Sequence, residues 1–91
     1  MYEIHYSSKF KKDVRRCQKQ NKDMAKFKYI HELLINDKNI PSNNKDHELI
    51  GNWNGFRECH LESDWLIIYR RDKKRRILEY ARMGSHSDLF G

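Results

Sequence analysis

Residues 55–83 read GFRECHLESDWLIIYRRDKKRRILEYARM. Within this stretch GFRECHLE, DWLIIYR and RRILEYARM are strand-like runs, rich in branched and aromatic residues, joined through short links at ESD and RDKK. Links this short join antiparallel neighbours, because a parallel return needs a crossover of about a dozen residues or more. A further short run, HEL at 47–49, precedes them across GNWNG. The stretch therefore predicts a series of antiparallel hairpins.

Upstream the period changes. NDKNIPSNNKD (36–46) carries every local sign of a loop. Before it lie two segments with helical spacing. In the first, Phe10, Val14 and Cys17 form a narrow apolar stripe with Lys and Arg over the remainder, and Ser7 or Ser8 supplies the cap. In the second, Met24, Phe27, Ile30 and Leu34 recur behind Asp23. The opening YEIHY alternates as a strand. The order β-α-α-β-β-β-β, with helices grouped before a run of hairpins, predicts an α+β fold: two N-terminal helices packed on a mostly antiparallel sheet of four or five strands. Ninety-one residues suffice for one core, so residues 1–91 form a single domain.

The formal charge is +6, and it is unevenly placed. Residues 1–45 hold eleven basic and five acidic side chains, whereas residues 46–91 hold eight of each. A positive field on one part of a small protein steers it toward polyanions, RNA among them. Cys17 and Cys59 stand far apart in regular segments, fit no metal-finger spacing and read as packed, reduced thiols. No apolar run has the length of a membrane span and the first residues lack a signal peptide's apolar core, so a cytoplasmic location is expected.

Five histidines are many for this length. His47 falls in the first short run of the hairpin series, His60 closes the next, and His86 follows the last. Glu58 shares a face with His60, two residues on. Asp64 and Trp65 open the following run. Imidazoles that titrate near neutrality, set beside a carboxylate, suit RNA cleavage by the ribose 2′-hydroxyl: one group removes the hydroxyl proton, another protonates the departing 5′-oxygen, and a cation steadies the phosphorane. Arg57 and Arg82 are the candidate cations, and Trp65 and Phe90 the candidate base-stacking rings. His5 and His31 have no assigned role. No His-x-x-x-His or cysteine spacing supports a metal site, and no cofactor is expected.

Taken together, KDHELIGNWNGFRECHLESDWLIIYR (45–70), RMGSHSDLFG (82–91) and the basic KFKKDVRRCQKQNKDMAKFKYIHELLIN (9–36) resemble the YafQ branch of the RelE/ParE toxin superfamily over nearly the whole chain. That resemblance implies a RelE-like, microbial-RNase-like fold and an mRNA interferase: a ribosome-dependent endoribonuclease that cuts the message in the decoding site without metal and leaves a 2′,3′-cyclic phosphate. It carries the family's functional positions onto His47, His60, Asp64, Trp65, His86 and Phe90. Glu58 stands where relatives commonly have aspartate, and Ser63 where they often have proline. His86 and Asp64 are then expected as the proton-transfer pair, with His47 and His60 orienting or stabilising the phosphate. The implied partners are a cognate antitoxin, the 70S ribosome and mRNA. Two alternatives share the scaffold, a ParE-like gyrase-inhibiting toxin and a non-catalytic RNA-binding module, and neither needs clustered imidazoles.

Overall fold

The computed structural model describes residues 1–91. Five strands, β1 (Glu3–Tyr6), β2 (His47–Glu48), β3 (Arg57–Glu62), β4 (Trp65–Asp72) and β5 (Ile77–Gly84), form one sheet in the order β1-β5-β4-β3-β2. The hairpins β2–β3, β3–β4 and β4–β5 are antiparallel, as their short links require. β1 instead pairs parallel to β5, which makes the sheet mixed. The two intervening helices, α1 (Ser8–Lys19) and α2 (Met24–Ile35), supply the crossover that a parallel pair needs.

Each long helix starts at a side-chain cap. Ser7 Oγ accepts from the Phe10 amide at 2.9 Å, and Asp23 accepts from the Ala25 amide at 3.1 Å. Both helices lie on one face of the sheet. There Phe10, Cys17, Ile30 and Leu34 meet Cys59, Ile67, Tyr69 and Met83 in the main core. Both thiols are free and buried, and burial pushes that of Cys59 up to about 12, so it stays a packed, unreactive group.

The opposite face is covered more thinly. Leu66 and Ile68 pack there with Leu89 of a third helix, α3 (His86–Phe90), bordered by Leu49, Trp53 and Phe56. The closing segment, to which the sequence pattern assigned no element, is a one-turn helix. Ser85 caps it reciprocally: its hydroxyl accepts from the Asp88 amide at 3.1 Å, and the Asp88 carboxylate accepts from the Ser85 amide at 3.0 Å.

Candidate active site

Alternation along the strands decides which side chains meet. On β3, Arg57, Cys59 and Leu61 point with Tyr69 and Ile67 toward the helices; Glu58 and His60 point with Ile68 and Leu66 toward α3. β2 pairs so that His47 lies opposite Glu58. α3 lies over the same face and presents His86. Three imidazoles from β2, β3 and α3 thus converge on one carboxylate.

Glu58 is the centre of this cluster and is only 5% exposed. Its Oε1 lies 3.0 Å from His86 Nε2 and 3.1 Å from His60 Nε2, and its Oε2 lies 3.4 Å from His47 Nε2. The outer ring nitrogens are held as well. His47 Nδ1 donates to the Lys45 carbonyl at 2.7 Å, and His60 Nδ1 donates to the Ser63 carbonyl at 3.3 Å. Asp64, in the β3–β4 turn, accepts from both the amide (3.0 Å) and Nδ1 (2.9 Å) of His86. The Asp64 hydrogen bond, with burial opposing and Glu58 adding to it, lifts the His86 imidazolium above the ordinary histidine range. The two bonds from His86 hold Asp64 below the ordinary carboxylate range. The Phe90 ring lies 6.2 Å from the His86 ring and is 45% exposed.

The structure corrects three of the expected substrate contacts. Trp65 is 1% exposed, because its place on β4 aligns it with Ile67 and Tyr69 in the main core; it cannot stack on a base. Arg57 points to the helix side of the sheet, where its guanidinium is bound by Asp46 at 3.2 Å. Arg82 lies in the same cross-strand row as Glu58 and Ile68, yet its guanidinium turns away to Asp13 of α1, with Nε at 2.7 Å. A bulge at Ala81, which leaves Tyr80 opposite Tyr69 and Arg82 opposite Ile68, accompanies that turn. Neither arginine is a free cation at the cluster.

Two carboxylates outside the expected set organise the surroundings. Asp46 accepts from the Tyr69 hydroxyl at 2.6 Å and from Arg57, which ties the residue before His47 to β4 and β3. Asp13 is buried against the β5 end. It falls three residues after Phe10 and four before Cys17, and a charge on an otherwise apolar helix stripe is the sequence signal that marks it. The donor atoms of Glu58, His60 and His86 lie within 4.8 Å of one another, so these groups have the spacing to hold a cation. They come from two separate elements, which is why no local ligand motif appears in the sequence.

A sequence profile for the family described as "Bacterial toxin of type II toxin-antitoxin system, YafQ" matches residues 2–91. The chain is 46% identical over 90 residues to the mRNA interferase toxin YafQ of Escherichia coli K12, covering 98% of this chain and 96% of that protein. Among solved structures it is similar to YafQ from E. coli BL21(DE3), with 42% identity, a TM-score of 0.92 and full coverage of both chains. It is equally similar to a chain of the E. coli DinJ–YafQ complex, at 43% identity and a TM-score of 0.90, again over the whole of both chains.

Proposed function

The chain belongs to the YafQ family of bacterial type II toxin–antitoxin toxins, and from that premise we propose that it is an mRNA interferase, a ribosome-dependent endoribonuclease whose chemistry is run by the cluster around Glu58. The observation that carries the reading is that buried carboxylate, met by imidazoles from three separate elements. A gyrase inhibitor or a passive RNA-binding module has no use for such an arrangement.

His86 is the general acid. An ionised carboxylate only accepts a hydrogen bond, so Asp64 keeps a proton on Nδ1, and the raised proton affinity of His86 keeps the second on Nε2, facing Glu58. It gives the Nε2 proton to the departing 5′-oxygen. Asp64, held ionised, is a poor base and a good orienter; its part in the pair is to keep His86 charged and aimed. Glu58, backed by His60, takes the 2′-hydroxyl proton, and His47 at the exposed rim faces the phosphate. With Arg57 and Arg82 engaged elsewhere, the His86 imidazolium supplies the positive charge that the phosphorane needs. Phe90 stacks on a neighbouring base, worth about 1–3 kcal/mol. Attack by the 2′-oxygen leaves a 2′,3′-cyclic phosphate and a 5′-hydroxyl, and these side chains carry out both proton transfers without metal.

The basic residues of α1, Lys9, Lys11, Lys12, Arg15 and Lys19, are exposed on the face away from this cluster. They contact ribosomal RNA while the α3 face receives the message. A cognate antitoxin neutralises the toxin, as the DinJ–YafQ complex illustrates for the E. coli relative. The activity belongs in the cytoplasm, where translated message is found. Primer extension on a message undergoing translation tests the reading. The unsubstituted protein is expected to cut within codons, and His86→Gln to lose about 10²–10⁴ in rate while remaining folded. Undiminished cutting by His86→Gln refutes the assignment.

A further inference from the structure

α1 lies across the sheet from the imidazole cluster, yet its single carboxylate reaches the strand end from which α3 departs. Asp13 is 4% exposed at its side chain and accepts four hydrogen bonds. Two come from Arg82, at 2.7 and 3.1 Å, one from Arg16 at 2.9 Å, and one from the Met83 amide at 3.0 Å. Arg16 carries the connection onward. Its Nη2 donates to the Met83 carbonyl at 2.8 Å and lies 3.5 Å from Asp88 Oδ2. Asp88 is the residue that closes the reciprocal cap with Ser85, and His86 is the first residue of the helix so capped.

Gly84 gives this passage its room. A Cβ on Gly84 would stand 2.6 Å from Arg16 Nη2 and 3.0 Å from Asp88, so a side chain there would drive the guanidinium out. Burying a charged pair costs several kcal/mol in desolvation, and apolar side chains of similar volume often stabilise a fold as well or better. What the ionic version adds is a directional constraint, and here its bonds end on both backbone groups of Met83 and on the cap of α3.

We propose that Asp13 and Arg16 are positioning residues of the ribonuclease site, which hold His86 against Glu58 by fixing the β5–α3 junction from the opposite side of the sheet. The inference rests on the ribonuclease reading above. Neither residue touches RNA at the scissile linkage; both act through Met83, Gly84 and α3. Burial by itself would raise the Asp13 carboxyl, but Arg82, the Met83 amide and Arg16 outweigh it and hold the group below its ordinary range, so the junction is ionic throughout the neutral range.

The test uses Arg16→Met, which leaves the Asp13–Arg82 pair in place, together with Asp13→Asn and the conservative Arg16→Lys. Amide hydrogen exchange is followed residue by residue, and cleavage kinetics are measured on ribosomes programmed with message. In Arg16→Met the amides of residues 86–89 are expected to exchange about tenfold faster or more, with those of β3 and β4 unchanged; kcat falls by about tenfold or more and KM stays within about twofold. Arg16→Lys recovers part of both. A purely structural role would instead speed exchange across the whole sheet and leave kcat intact at temperatures where the variant is folded. Unchanged α3 exchange in Arg16→Met, or a loosened α3 with unchanged kcat, overturns the proposal, and if Asp13→Asn does not fold the Arg16 pair of variants decides alone. Failure of the unsubstituted protein to cut any message, with α3 still loosened in Arg16→Met, would remove the ribonuclease reading and leave the mechanical link standing.

Discussion

His86 has a carboxylate oxygen at each ring nitrogen, and that single circumstance sets its proposed chemistry. The Asp64 hydrogen bond is the largest influence lifting its affinity for a proton, ahead of Glu58. A general acid works only while protonated, so the rate should fall as pH rises through the His86 value. Asp64→Asn removes the main lifting influence. The expected outcome is a descending limb of the pH–rate profile displaced to lower pH, with cleavage at pH 6 less affected than cleavage at pH 8; an unmoved limb would show that His86 is not the acid. At this scale the sequence was partly legible. Period-two alternation placed Glu58 and His60 on one face, but the same alternation also puts Trp65 with Ile67 and Tyr69 in the core, and Arg57 on the helix side. Those two positions were read from side-chain chemistry, a cation and an aromatic ring, which says what a residue could do and not whether it touches RNA or holds the scaffold. Arg82 was illegible for another reason: its direction follows from a bulge and from Asp13, 69 positions away.

The element that completes the site is α3. Five residues cannot sustain a helix in water, since nucleation alone outweighs so few hydrogen bonds. Its persistence rests on the Ser85–Asp88 cap, the Arg16 contact and the burial of Leu89 against Leu66 and Ile68. Leu89→Ala should cost about 2–3 kcal/mol of docking energy. The local result is a frayed α3, with His86 and Phe90 no longer held over Glu58. Cleavage should drop about tenfold or more while the unfolding transition of the sheet is nearly preserved, which circular dichroism melts and single-turnover assays together would reveal. The hairpins were readable because their turns are local and short. The helical nature of the tail was also written locally, in the Ser-x-x-Asp spacing of residues 85–88, but Leu89 and Phe90 are its only apolar residues, too few to show a period. The parallel pairing of β1 with β5 joins residues more than seventy positions apart, and no local pattern announces such a contact.

At the scale of the whole molecule the sheet separates two surfaces. One carries α1 with its exposed cations; the other carries the imidazole cluster, flanked by α3 and the segment around Trp53 and Phe56. The charge split along the sequence foretold the first surface, since the excess cations of residues 1–45 fall largely on α1. The convergence of His47, His60 and His86 needed the register of β2 on β3 and the docking of α3, both of which exist only in the folded chain. No helix is long and apolar enough to cross a membrane. The proposed division of labour gives one face to the ribosome and the other to the message, with Asp13 and Arg16 proposed to tie the first to the second. Its centre is the claim that side chains gathered on Glu58 cleave RNA through the 2′-hydroxyl, with no metal taking part. The most direct measurement is the chemical identity of the new ends when a message on programmed ribosomes is cut, after the toxin has been stripped with EDTA and with no transition metal added back. The account predicts undiminished cutting and fragments that end in 2′,3′-cyclic phosphate and begin with 5′-hydroxyl. Cutting that disappears on stripping the toxin and returns with added metal, or fragments that begin with 5′-phosphate, would contradict it.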